Sequence, residues 1–135
     1  MVSDNNNKDM LDLVDTPYMK LWKREGVLYC EYHNNLQLDL QVAQECVEAR
    51  IKYSAGISYP VCIYLTGVKS ATKEAREYLA EEGTRLVKAG ALIIGSPVTK
   101  ILGNIFLRIN KPEVPTHLFN NEEDAIEWLK QFVEK

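Results

Sequence analysis

Nowhere in its 135 residues does the sequence hold a run approaching the roughly 20 apolar residues that a bilayer-spanning helix needs, so no transmembrane segment is expected. Charge of one sign is equally scarce. Sixteen Lys and Arg stand against 19 Asp and Glu, a formal net charge of -3 with no basic cluster. No nucleic-acid partner is expected from that balance. Cysteine is limited to Cys30, Cys46 and Cys62, odd in number and far apart, which excludes a disulfide framework and a Cys-x-x-Cys metal pair. Cys62 falls in an apolar strand and Cys46 on the inward stripe of a helix, where thiols act as small hydrophobes. His33 and His117 are the only histidines, and neither has a carboxylate or cysteine at ligand spacing. The seven glycines form no phosphate-cradling loop, since Gly67 stands alone and Gly95-Ser96-Pro97 holds one. A Gly-x-Ser-x-Gly elbow is absent too. Without a nucleophile, base and orienter in one constellation, no enzyme and no cofactor are expected. Met1–Asp15 is polar and asparagine-rich with no apolar core of a secretory signal, which makes the cytoplasm the default location.

What is present fits a single α/β domain over residues 16–135, preceded by a flexible arm over 1–15 that has little apolar surface to offset the cost of ordering. Two aromatic-rich segments, Tyr18–Lys23 and Val27–Tyr32, flank Arg24-Glu25-Gly26 and predict a β-hairpin. Asp39 is placed to cap a helix to about Ser54, with Leu40, Ala43, Val47, Ile51 and Ser54 inward and Gly56 at its end. Pro60–Leu65 is nearly all apolar, the mark of a strand covered on both faces. Ser70 or Thr72 then caps a second helix that fades near Gly83. After a short turn at Arg85-Leu86-Val87, Ala91–Ile94 forms another buried strand.

Ser96-Pro97 is the clearest helix start in the chain, an N-cap serine with proline at the first helical position. Val98, Ile101, Leu102, Ile105 and Phe106 follow at helical spacing, until Asn110-Lys111-Pro112 breaks the pattern. Thr116–Phe119 reads as a last strand. Asn120 caps the final helix, with Glu123 at its third position and Ala125, Ile126, Leu129 and Phe132 inward. The order β-β-α-β-α-β-α-β-α predicts a mixed sheet of about five strands, an antiparallel leading hairpin followed by parallel βαβ units, with about four helices against it.

This order resembles the STAS domain and its anti-anti-sigma-factor-like relatives, which are also compared with Sec14-type lipid-binding domains. The residues that carry the resemblance are Val61-Cys62-Ile63-Tyr64-Leu65-Thr66-Gly67-Val68 running into a helix, then Ala91-Leu92-Ile93-Ile94-Gly95-Ser96-Pro97, and above all the closing Pro115–Leu129 segment with its strand, acidic cap and Ala-Ile-x-x-Leu helix. The resemblance covers about residues 16–133. It implies a bacterial, non-enzymatic regulatory module working through a protein partner. The alternative it implies is a carrier of a small apolar ligand or lipid. Regulatory members carry an Asp-Ser-Gly pattern at the start of the helix after the central strand, and this chain reads Lys69-Ser70-Ala71-Thr72 there. Ser70 and Thr72 read as helix caps before phosphoacceptors.

The candidate interaction surface follows from the strand ends. Thr66, Lys69, Ser70, Thr72 and Lys73 on one side, and Ser96, Thr99 and Lys100 on the other, follow buried parallel strands and so are expected at one sheet edge. Both segments present helix amino ends, with three lysines beside them to favour an acidic or phosphorylated group. The helix from Pro97 also carries more apolar residues than one small sheet can cover. Ile105, Phe106 and Leu107 are therefore a second candidate, an apolar patch for a partner, a second subunit in a homodimer, or a lipid.

Overall fold

A computed structural model describes residues 11–134. At the leading hairpin, Glu25 and Gly26 both take positive φ (51° and 83°), so β2 (Met19–Arg24) and β3 (Val27–Tyr32) are joined by a two-residue turn that matches their twist. Five strands of the main sheet are those the sequence predicts. The sixth is β1 (Leu11–Asp15), antiparallel to β2, in the stretch predicted to be a flexible arm. Apolar burial is not what holds it, since Leu13 and Val14 remain 47% and 42% exposed. Backbone pairing does, with help from a turn in which the Thr16 hydroxyl bonds both the amide and the carbonyl of Met19. Residues 1–10 of the predicted arm lie outside the described residues.

The strand order is β1-β2-β3-β5-β7-β8, with β5 (Tyr59–Tyr64), β7 (Val87–Ile93) and β8 (Thr116–Phe119) parallel to β3. Pro60 sits inside a central strand, where it cannot donate to the ladder, and the pairing register shifts at that point. A second, two-stranded parallel sheet joins β4 (Leu36–Leu38) to β6 (Val68–Ala71). This corrects the expectation that the chain passes from Leu65 through a turn straight into a helix. The second helix starts later, and of its two candidate caps it uses Thr72.

Among the described residues, four α-helices pack on the sheet: α1 (Leu40–Ser54), α2 (Lys73–Glu81), α3 (Pro97–Ile105) and α4 (Glu122–Leu129). Asp39 accepts the Val42 N–H at 2.9 Å, Thr72 the Ala75 N–H at 3.1 Å and Ser96 the Thr99 N–H at 3.1 Å. The cap of α4 is Asn121, not Asn120. Its side chain accepts the Asp124 N–H at 2.8 Å. A π-helical turn (Phe106–Asn110) extends α3, and Lys111 closes it in the left-handed region.

One face of the sheet presents Met19, Leu21, Leu28, Cys30, Tyr32 and Val61 to α1, α2 and α3. The other presents Trp22, Tyr29, Cys62, Ala91 and Ile93 to α4, whose Ala125 and Leu129 are fully buried. Truncating Leu129 to alanine there would cost about 2–5 kcal/mol. Two predicted stripes are turned. In α1 the buried positions are Ala43, Cys46, Val47, Arg50 and Ser54, so Arg50 points inward, while Leu40 is exposed and Ile51 half-buried. In α3 the buried positions are Thr99 and Gly103, and Val98 and Ile101 face outward.

Candidate functional site

The carboxyl ends of β3, β5 and β7 deliver three loops to one edge of the sheet, where open α/β folds place their sites. Two glycines let these loops touch. A Cβ on Gly67 would stand 2.5 Å from the His33 carbonyl oxygen and 2.6 Å from that of Tyr32. A Cβ on Gly95 would stand 2.6 Å from Thr66 Cγ2. The loop after β5 is thus held between its neighbours, and Thr66 is exposed beside the start of α3.

The predicted surface is only partly assembled there. Thr66, Ser96 and Lys100 are exposed around that start. Lys69 and Ser70 are exposed too, but on strand β6 and not at a helix start. Thr72 and Lys73 lie at the far end of β6, so the length of that strand separates the two helix starts. Thr99 is not a surface residue at all. It is 1% exposed, its hydroxyl accepts the Gly95 and Ser96 N–H groups at 3.0 Å each, and it donates to the Ser96 carbonyl. With Ser96 N–H and Thr99 N–H both capped and Pro97 lacking a hydrogen, the start of α3 keeps little donor capacity for an anion.

The apolar patch is present but displaced. Ile105, Phe106 and Leu107 are half-buried, and Phe106 is turned toward the interior. Exposure is concentrated at Val98 (50%), Ile101 (60%) and Ile109 (72%), an apolar row along the outer side of α3 and its π-helical extension. Lys100 stands in this segment, and Lys69 on strand β6.

Beneath the helices the core is incompletely filled. A cavity of about 60 Å³ lies between β6, α2 and α3, walled by Leu65, Val68, Leu79, Leu102 and Phe106. A second, of about 80 Å³, reaches from Arg50 and Ile63 to Pro112 and Val114, and a third of about 40 Å³ lies against Cys30, Cys46 and Arg50. Tyr32 and Leu79 line all three. Burial pushes the Tyr32 phenol far above its ordinary range and draws the Arg50 guanidinium down. It also pushes the Cys30 and Cys46 thiols up to about 12, so both stay protonated and weakly nucleophilic. Among the described residues, no three His, Cys, Asp or Glu side chains are grouped to hold a metal.

Sequence reasoning missed Arg50 and Tyr32 as cavity residues. The signal was present in α1, where Arg50 falls four residues after Cys46 and seven after Ala43, on the face that packs.

Solved structures share the fold, two of them at similar TM-scores. One is an uncharacterised protein of the DUF3478 family with a SpoIIAA-like fold from Shewanella loihica, at a TM-score of 0.56 and 14% identity, covering 86% of this chain and 98% of that one. The other is RsbS S58E from Moorella thermoacetica, at a TM-score of 0.57 and 15% identity, covering 83% of this chain and 94% of that one. The resemblance read from the sequence is borne out as a fold. No curated protein matches the chain. The model of the domain of unknown function DUF7793 matches residues 21–133, and the chain therefore belongs to the DUF7793 family.

Proposed function

We propose that this chain is a non-enzymatic, STAS-like interaction module of the bacterial cytoplasm, docking a protein partner on the outer side of α3 and the adjoining Thr66 loop. The observation that carries this reading is the exposed row Val98, Ile101 and Ile109 on a helix whose opposite side is anchored in the core. Contiguous exposed apolar surface rimmed by polar residues marks interaction sites. Lys100 on α3 and Lys69 at the near end of β6 add exposed positive charge beside this row and favour an acidic surface on the partner, whereas Lys73 lies at the far end of β6. Ser70, exposed on β6, offers a hydroxyl outside the Asp-Ser-Gly pattern of the regulatory relatives, so control by phosphorylation is no part of the proposal.

Replacing Val98 and Ile101 together with lysine tests this reading. Partner recovery should fall at least tenfold while the melting temperature stays nearly unchanged, because both side chains are half or more exposed. Undiminished recovery would place the docking surface elsewhere. A second reading, a carrier of a small apolar ligand, is favoured by one observation, the cavities walled by Leu65, Leu79, Leu102 and Phe106.

A further inference from the structure

We propose that the cavities beneath α1 and α2 form a binding site for a small apolar acid, whose carboxylate pairs with Arg50 and the Tyr32 hydroxyl. This rests on the carrier reading and names its ligand class.

Arg50 is 5% exposed, and its Nη2 donates to the Gly83 carbonyl at 3.1 Å. Its Nη1 is enclosed and has no hydrogen-bond partner among the described residues. No carboxylate pairs with the guanidinium in any of the ion pairs of the described residues. The groups that bear on its charge are Cys30, Tyr32 and Arg85, two that are neutral at physiological pH and one that is a cation. An arginine cannot discard its proton to escape burial. A buried, uncompensated charge costs free energy that a bound anion would recover. The fold therefore carries donor capacity that nothing among the described residues uses.

Tyr32 supplies the second donor. It is 8% exposed and lines all three cavities. Around these two groups the walls are apolar: Ile63, Leu79, Phe106 and Val114. One water needs about 10–15 Å³, so cavities of about 80 and 40 Å³ beside Arg50 have room for a carboxylate with a short tail. The neighbouring cavity of about 60 Å³ shares the Tyr32, Leu79 and Phe106 walls. A neutral apolar ligand would leave the Arg50 Nη1 donor unpaired, so the site selects for the acid.

The test compares hexanoate with 1-hexanol on the full chain by saturation-transfer NMR and titration. Hexanoate should bind at least tenfold more tightly than hexanol. Arg50→Met should abolish that preference while hexanol binding persists, and Tyr32→Phe should weaken hexanoate severalfold. Circular dichroism checks that each variant folds. If Arg50→Met does not fold, the hexanoate-to-hexanol ratio and Tyr32→Phe decide the matter. Equal binding of the two probes would overturn the acid proposal and leave the carrier reading standing. Binding of neither, with water alone filling the cavities, would overturn both.

Discussion

A Cβ added to Gly103 would stand 2.7 Å from Cδ2 of Leu118, so the inner side of α3 rests directly on the side chain of edge strand β8. This contact fixes the height of α3 over the sheet and turns Val98 and Ile101 toward solvent. A double-mutant cycle isolates it. Alanine at position 103 gains up to about 1 kcal/mol of helix propensity, but only where the Leu118 side chain leaves space. Gly103→Ala should therefore be less favourable in the native background than in Leu118→Ala, a coupling read from urea midpoints. Additive effects would show that α3 does not rest on Leu118.

Gly67 has no such flexible neighbour. Its Cβ position faces the backbone carbonyls of Tyr32 and His33, which cannot swing aside. Gly67→Ala is predicted to cost about 1–3 kcal/mol, the range of overpacking in a tight site. A midpoint equal to that of the native chain would mean the loops after β3 and β5 are looser than described.

Deleting residues 1–15 should lower the urea midpoint, because β1 is paired and not free. It covers the edge of β2, its Asp12 carbonyl accepts the Tyr53 hydroxyl at 2.8 Å, and Asp15 lies 2.8 Å from His33. A loss of about 1–3 kcal/mol is expected, the ordinary range for a local perturbation. An unchanged midpoint would restore the sequence-based reading of this stretch as an arm.

Alkaline pH should destabilise the protein through its buried thiols. Cys30 and Cys46 are raised from 9.0 to about 12, so the folded state keeps protons that the unfolded chain releases. Their contribution is fully present below about pH 9 and is lost as pH rises toward about 12, at up to about 1.4 kcal/mol per pH unit for each thiol. Urea midpoints measured from about pH 8 to about pH 10 should fall, and Cys30→Ala with Cys46→Ala should flatten the decline. A flat profile for the native chain would show that the thiols are not held in the protonated form.

The features legible in the sequence were those set by local chemistry or by all-apolar runs. Pro60–Leu65 and Ala91–Ile94 announced central parallel strands, and Asp39 and Ser96 announced their helices, because a cap needs only its own first turn. What stayed hidden depends on distant partners. β1 is held by backbone pairing, and its apolar Leu13 and Val14 stay exposed, so Leu11–Asp15 was read with the polar arm before it. β6 is four residues long and exists only because the three residues of β4 pair with it. Thr99 offers a hydroxyl that looks available until the capping box claims it. Arg50 was missed because taking Leu40 and Ile51 as the inward phase of α1 rotates the helix and sends a buried cation to the surface. Two adjacent asparagines, Asn120 and Asn121, are equally good caps by composition, and only the geometry of the first turn separates them.

The most direct test of the interaction reading is site-specific photo-crosslinking in living cells, with the photoreactive residue placed at Ile101. A control at Gln131, exposed just after α4, reports background. Ile101 crosslinks should concentrate in one protein, enter an acidic surface of that protein, and disappear when Val98 is also replaced by lysine. Crosslinks from Ile101 no more selective than those from Gln131 would contradict the account.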